Sequence, residues 1–269
     1  WSSDVCSSDL AGLVSGAAFA QSNVTVYGIA DVGFQYSSDS YIDGVKSKSE
    51  IADGGQDGSR VGFKGTEDLG NGLSAFFQLE TRFHLDTASN IEGRNSNVGL
   101  TSKNWGTIKL GSFGSVHDDY NGYSEAGGMG WGKGVFDMLQ TVDARNAVEY
   151  ISPNMSGLEF KVGASTQYQN AVEDETVDDD DENLRAYFLS AAYANGGLKA
   201  ALTYDRAKFQ SEAPGTVAQT EWLASVGYDF GMVKVGAGYD RSRDTDDNVK
   251  KTWRINVGAP ISANDAVAL

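Results

Sequence analysis

The residues from Gly127 to Gly134, GGMGWGKG, come within one position of a phosphate-binding loop: Gly127 and Gly132 enclose four residues, and Lys133 follows. A nucleotide loop needs Ser or Thr after the lysine to hold Mg²⁺, and that place is taken by Gly134. It also needs a buried strand in front, whereas HDDYNGYSEA is polar and acidic. The run DTDDN, Asp244 to Asn248, matches the first, third and fifth ligands of an EF-hand loop. Its sixth position is Val249 rather than Gly and its twelfth is Ile255 rather than Glu, so the match fails. His84 and His117 form no HExxH zinc site and read as polar positions. No GxSxG elbow occurs, and the single cysteine, Cys6, stands near the N-terminus. These residues imply no catalytic group, no metal, no cofactor and no enzyme.

Composition then narrows the fold. The 269 residues hold 33 Gly and 3 Pro, with 12 Tyr, 12 Phe and 5 Trp, a mixture suited to strands and tight turns. Lys and Arg number 21 against 37 Asp and Glu, a net charge of −16 that excludes nucleic acid as a partner. No apolar run is long enough for a spanning helix, but closed barrels also cross membranes. LAGLVSGAAFAQS reads as the end of an export signal, with Ala18-Phe19-Ala20 as the cleavage site before Gln21. The head WSSDVCSSDL reads as a sequencing artefact. Residues 1–20 are therefore set apart from a single barrel domain over 21–269.

Apolar and polar residues alternate along most of the chain. In VTVYGIADVGFQY the even positions from Val24 to Tyr36 are mainly apolar; in LSAFFQLETRFH Leu73, Ala75, Phe77, Leu79 and Phe83 oppose Ser74, Gln78, Glu80, Arg82 and His84. Charges recur on the polar face: Lys199 with Asp205, Lys234 with Asp240, and Arg254. Segment 184–195, LRAYFLSAAYAN, has ambiguous parity. Aromatic residues close the apolar faces at Tyr36, Phe83, Tyr204, Trp222, Tyr228, Tyr239 and Trp253. Short turns at 68–72, 103–106, 153–157, 194–197 and 229–231 alternate with longer connections at 37–58, 85–93, 114–145, 169–183, 206–219 and 242–250. That rhythm, over about twelve strands, is the signature of an all-β, antiparallel transmembrane β-barrel.

At this point the chain resembles a known family. QSNVTVYGIADVGF, SRVGFKGTEDLGNGLSAFFQLE, NVGLTSKNWGTIKLGSFGS and RNAVEYISPNMSGLEF are similar to general diffusion porins of beta-proteobacteria and Neisseria. The resemblance implies a barrel of the sixteen-stranded porin type in a Gram-negative outer membrane. It implies a homotrimer in contact with lipid and lipopolysaccharide, passing ions and small hydrophilic solutes passively. It also implies that 114–145, which contains GGMGWGKG, folds inward as a constriction loop. The chain stops at ISANDAVAL without the family's terminal aromatic, which implies that about four strands are missing.

The expected pore residues follow from parity and from that loop. Arg60, Lys64, Arg82 and Lys109 line the wall, with Lys161, Lys199, Lys234 and Arg254 also basic on the polar face and Asp31, Glu80, Glu159, Asp205, Asp229 and Asp240 acidic. The loop carries Asp118, Asp119, Glu125, Asp137 and Asp143 against Lys133 and Arg145. An acidic loop facing a basic wall would set a transverse field across the narrowing. Glu149 stands where the family commonly has a basic residue, which counts against an inherited anion preference. The acidic run Glu173–Glu182 reads as a solvated outer loop. Two other classes compete: a soluble β-sandwich binding cations or glycans, which needs the apolar face inside, and a barrel lipase, which needs a Ser/His pair.

Overall fold

Period-two alternation produces strands, and here each strand pairs with the next. The computed structural model describes residues 23–37, 47–54, 58–87, 91–114, 116–124, 143–168, 184–209, 217–260 and 266–268. The strands are β1 (Asn23–Ile29), β2 (Val32–Ser37), β3 (Lys48–Asp53), β4 (Arg60–Gly70), β5 (Leu73–Phe83), β6 (Ile91–Ser102), β7 (Gly106–Gly114), β8 (Asp143–Ile151) and β9 (Leu158–Tyr168). They continue as β10 (Leu184–Asn195), β11 (Leu198–Phe209), β12 (Gln219–Asp229), β13 (Lys234–Arg243), β14 (Val249–Pro260) and β15 (Ala266–Ala268). A short helix, α1 (Val116–Asn121), and a 3-10 turn (Gly122–Ser124) follow β7.

One antiparallel sheet of thirteen strands runs β1, β4 and then β5 to β15 in chain order, so every neighbour from β4 onward is the next strand. The twelve longer strands match the expected number, and β15 adds a short thirteenth. The expected turns join β4–β5, β6–β7, β8–β9, β10–β11 and β12–β13. At the first, Asn71 (φ 53°) and Gly72 (φ 75°) take the left-handed pair of angles that an Asn-Gly hairpin provides.

One expected loop is partly strand. Within 37–58, β3 pairs with β2 as a two-stranded ribbon, with Phe34 opposite Ile51. KSEIAD holds one large apolar residue, too little alternation to read, and the pairing with β2 supplies what the pattern lacks. Gly127–Gly134, Glu125, Lys133, Asp137 and Glu173–Glu182 lie outside the described residues.

The two faces of the sheet differ in the direction that decides the fold class. Large apolar side chains are exposed: Val26, Phe63, Leu79, Val98, Leu110, Val162, Leu189, Leu202 and Val226 among them, up to 76% for Trp253 and 81% for Ile255. The buried face carries Glu80, Asn97, Glu149, Ser165, Ser190, Thr203, Asp205, Glu221, Ser225 and Asp240. A soluble sandwich would have the opposite arrangement; this sheet has its apolar face toward lipid and its polar face inside. Aromatics stack along the outer face where strands pair: Tyr204 with Trp222 at 4.4 Å and Tyr239 with Trp253 at 4.3 Å, with Tyr228 and Phe230 near a tight turn. They form the interfacial girdles of a membrane barrel.

Segment 184–195 now has its parity. Ala186, Phe188, Ser190 and Ala192 face inward, while Tyr187 and Leu189 are exposed on the outer face. Both sides are apolar, which is why alternation failed to show there.

Leu202, in the middle of β11, gives a direct test of the outer face. Leu202→Arg should destabilise the folded barrel in lipid by about 2–4 kcal/mol. Lys234→Ala, which breaks an exposed pair with Asp229, should leave stability nearly unchanged. Unfolding titrations in lipid vesicles measure both. Equal small losses would place Leu202 in water.

Candidate functional site

The register brings the inward side chains into three groups. In the first, Arg60 on β4 pairs directly with Arg82 on β5, and Gly62 with Glu80. Glu80 is buried and accepts from three sides: Arg94 Nε at 2.6 Å, the Tyr27 hydroxyl at 2.9 Å, and Arg60 Nε at 3.7 Å as an ion pair. Gln78 donates to the Tyr27 hydroxyl at 2.8 Å, and the Lys64 ammonium stands 5.1 Å from the Tyr27 ring centre. One carboxylate thus orders two guanidiniums on the wall, with Arg82 next to them. Taking away a buried partner of this kind costs about 3–5 kcal/mol because the remaining charge is left uncompensated.

The second group lies on β7 to β9. Lys109 and Glu149 are register partners and form an ion pair at 3.1 Å, with Glu149 fully buried. The Lys109 ammonium also lies 3.9 Å from the Phe113 ring centre. Lys161, on the next strand but facing the same way, binds Asp119 of α1 at 2.7 Å.

The third group holds α1 and its turn against the inner wall. Phe113 and Val116 pack with Ala144, Ala147, Ala186, Phe188 and Ala207, an apolar patch on a largely polar face. Phe113 meets Phe188 edge-on at 6.3 Å. This patch explains the apolar inner face of β10: the chain turns in over it. Beyond the patch, Tyr120 and Tyr123 pack with Ala192 and Ala201, and the remaining contacts are polar. The Ser225 hydroxyl donates to the Tyr120 carbonyl at 3.0 Å. Arg254 donates to the Asn121 carbonyl at 3.0 Å, to the Ser124 hydroxyl at 2.6 Å, and to the Asn121 side chain. Asn256 donates to the Ser124 carbonyl at 3.0 Å. Two wall glycines let the turn come this close. A Cβ on Gly227 would stand 2.2 Å from the Tyr123 carbonyl oxygen, and one on Gly236 2.1 Å from that of Ser124.

His117 is the buried titratable group of α1. Its imidazole Nε2 lies 3.6 Å from Glu221 and 3.9 Å from Asp240. Burial lowers its pKa to about 4, and the Arg254 charge adds to the shift. A ring stripped of its hydration favours its neutral form. Burial likewise pushes the Tyr120 hydroxyl up to about 12.

Of the expected pore residues, Arg60, Lys64 and Arg82 sit together, Lys109 pairs with Glu149, and Asp119 meets Lys161 rather than the β4–β5 basic residues. Asp118 is exposed on α1. Arg145 adjoins a bulge at Asn146 (φ 47°), between the buried Ala144 and Ala147, and its carbonyl accepts from Ser165. Sequence reasoning missed Tyr27 and Arg94 as partners of Glu80, and Asn121, Ser124, Gly227 and Gly236 as the docking contacts. Glycines recurring at inward parity on adjacent strands were the one readable sign of the last two.

Comparison with known proteins places these observations among relatives. A sequence profile described as Gram-negative porin matches residues 8–269. An outer membrane porin protein of Bordetella pertussis is 34% identical, over 87% of this chain and 68% of its own. The major outer membrane protein P.IB of Neisseria lactamica is 30% identical, over 82% and 77%. Among solved structures, an anion-selective porin from Comamonas acidovorans superposes with a TM-score of 0.71 at 26% identity, covering 93% of this chain and 77% of that one.

The docking contacts yield a test. Gly236→Ala should push the 122–124 turn off the wall at a cost of about 1–3 kcal/mol, leaving the sheet intact. Amide hydrogen exchange should rise over 116–124 while strands β4–β9 keep their protection. Unchanged exchange in α1 would mean that the turn does not depend on this close approach.

Proposed function

The chain belongs to the Gram-negative porin family, an outer-membrane general diffusion porin, and we propose that the 114–145 segment narrows its pore and that the inward charges set the field there. The observation that carries this reading is the seat of α1 and its turn on the polar inner face of β10 to β14. Docking of α1, which follows β7 in the chain, on strands further along the sheet supports an inward course for the segment that carries it.

Transport through such a pore is passive. The polar inner face keeps the lumen hydrated, the outer apolar face keeps the barrel in lipid, and solutes move down their gradients. The relatives are channels rather than enzymes, and the mechanism uses no proton transfer or covalent step. Size is filtered where the inward segment takes up lumen space. Charge is filtered by side chains at close quarters.

Glu149 and Asp119 are each balanced by a lysine, whereas Glu80 is shared by two arginines with Arg82 alongside. That balance supports a basic stretch of wall over β4 to β6, and one relative is described as anion-selective. Asp118, Glu125 and Asp137 on the inward segment supply the opposing sign, with Lys133 and Arg145 reducing it. The working assembly in this reading is a homotrimer set in lipid and lipopolysaccharide.

Planar bilayers under a salt gradient test the reading. The refolded protein should insert in discrete conductance steps. The triple variant Asp118→Asn, Asp119→Asn, Glu125→Gln should move the reversal potential toward anions. An unchanged potential with unchanged unit conductance would take those three carboxylates out of the narrowing.

A further inference from the structure

Where α1 meets the wall, side chains from four elements converge on one dry point. His117 comes from α1, Asp205 from β11, Glu221 from β12 and Asp240 from β13. Their exposures are 3%, 2%, 1% and 1%. One ligand atom each from His117, Asp205 and Glu221 lies within 4.8 Å of the others, the one such cluster of three or more among the described residues. Asp205 and Glu221 are direct register partners.

Hydrogen bonds account for these groups only in part: Asp205 accepts from the His117 backbone N–H and Glu221 meets Asp240, but the imidazole is left out. His117 Nε2 is 3.6 Å from Glu221 and 3.9 Å from Asp240, and neither ring nitrogen makes a hydrogen bond. One oxygen of Asp205 also lacks a hydrogen bond. A metal ion would draw these groups together by a small shift: bonds of about 2.1 Å in a tetrahedron space the donor atoms about 3.4 Å apart, a little closer than the 3.6 Å between His117 and Glu221. Charge points the same way. Ionised, the three carboxylates exceed the neighbouring Arg254 by two, the charge of a divalent cation, and Lys250 further along that strand is exposed.

We propose that His117, Asp205 and Glu221, with Asp240 beside them, form a binding site for a divalent transition-metal ion that fixes the root of the inward segment to the barrel wall. One imidazole and two carboxylates, with a third carboxylate beside them, suit Zn²⁺ or Mn²⁺ better than a hard Ca²⁺ ion, which prefers six or more oxygens. The site joins an element to three strands more than eighty positions away in sequence, so metal binding would stabilise the docked segment rather than serve transport.

The test uses metal content, which is independent of conductance, so its failure would leave the constriction reading untouched. The protein is refolded in detergent with Zn²⁺, dialysed against buffer, and assayed for bound zinc. About one Zn²⁺ per chain should be retained, and chelation should lower the temperature at which exchange over 116–124 increases. Co²⁺ in place of Zn²⁺ should give visible absorption bands from mixed nitrogen and oxygen ligation. His117→Gln should weaken retention by about ten-fold or more and change those bands, with the barrel still shifting in gel mobility on heating. Asp229→Asn, at an exposed turn, should change neither. If the wild-type protein retains no zinc and shows no cobalt bands, the proposal fails and the carboxylates share protons instead. Retention unchanged by both His117→Gln and Asp205→Asn would overturn it equally.

Discussion

Every other feature depends on one constraint: in lipid, a backbone amide has no water to bond, so it must find its partner within the sheet. A ladder from β1 through β4 to β15 meets that demand for each strand between these two. Once the ladder faces lipid on one side, side-chain choice on that side is settled. Val162, Leu189, Leu202 and Val226 are exposed and apolar for the same reason that core residues of a soluble protein are buried and apolar. The other face is freed from packing a core and can hold charge.

Freedom to hold charge brings its own requirement. A carboxylate on the inner wall that loses contact with water needs compensation, and the chain supplies it in two ways. Neighbouring strands offer partners at fixed register, as Lys109 does for Glu149. Wall charges are also met by the segment docked on the wall, as Lys161 is by Asp119. The first kind stiffens the wall. The second ties the inward segment to it, so the same interaction that satisfies a charge also determines where the segment rests.

These two kinds of contact explain what could be read in the sequence. Alternation and turn rhythm are local, and they identified the strands, their faces and the tight turns, including inward Arg60, Lys64, Arg82, Lys109 and Lys199. Where a second element covers the inner face, alternation disappears, as in 184–195 beneath Phe113 and Val116. Where a strand is stabilised by its partner more than by its own pattern, as in KSEIAD, it was taken for loop. The site itself was legible as a set of candidates but not as pairs. Nothing in LSAFFQLETRFH tells that Glu80 is held by Arg94 and Tyr27, because the bulge that shifts the β5–β6 register between Leu79 and Thr81 is invisible in a single strand.

The docking of α1 shows why such pairs resist sequence reading. Arg254 and Asn121 are 133 positions apart, and Ser225 and Tyr120 are 105. No local pattern records a contact over such a distance, with strands β8 to β11 lying between the partners in both cases. What makes the contact specific is a wall with its side chains removed: Gly227 and Gly236 are register partners on adjacent strands, and together they open a strip where backbone can meet backbone. In a strand, glycine lowers stability and packs nothing. Two of them opposite one another on the polar face therefore mark a place where something else is meant to lie. The turn at Gly122–Ser124 occupies it, and Arg254 and Asn256 close over its carbonyls. The position of the inward segment is thus written in the wall it leans on as much as in its own residues.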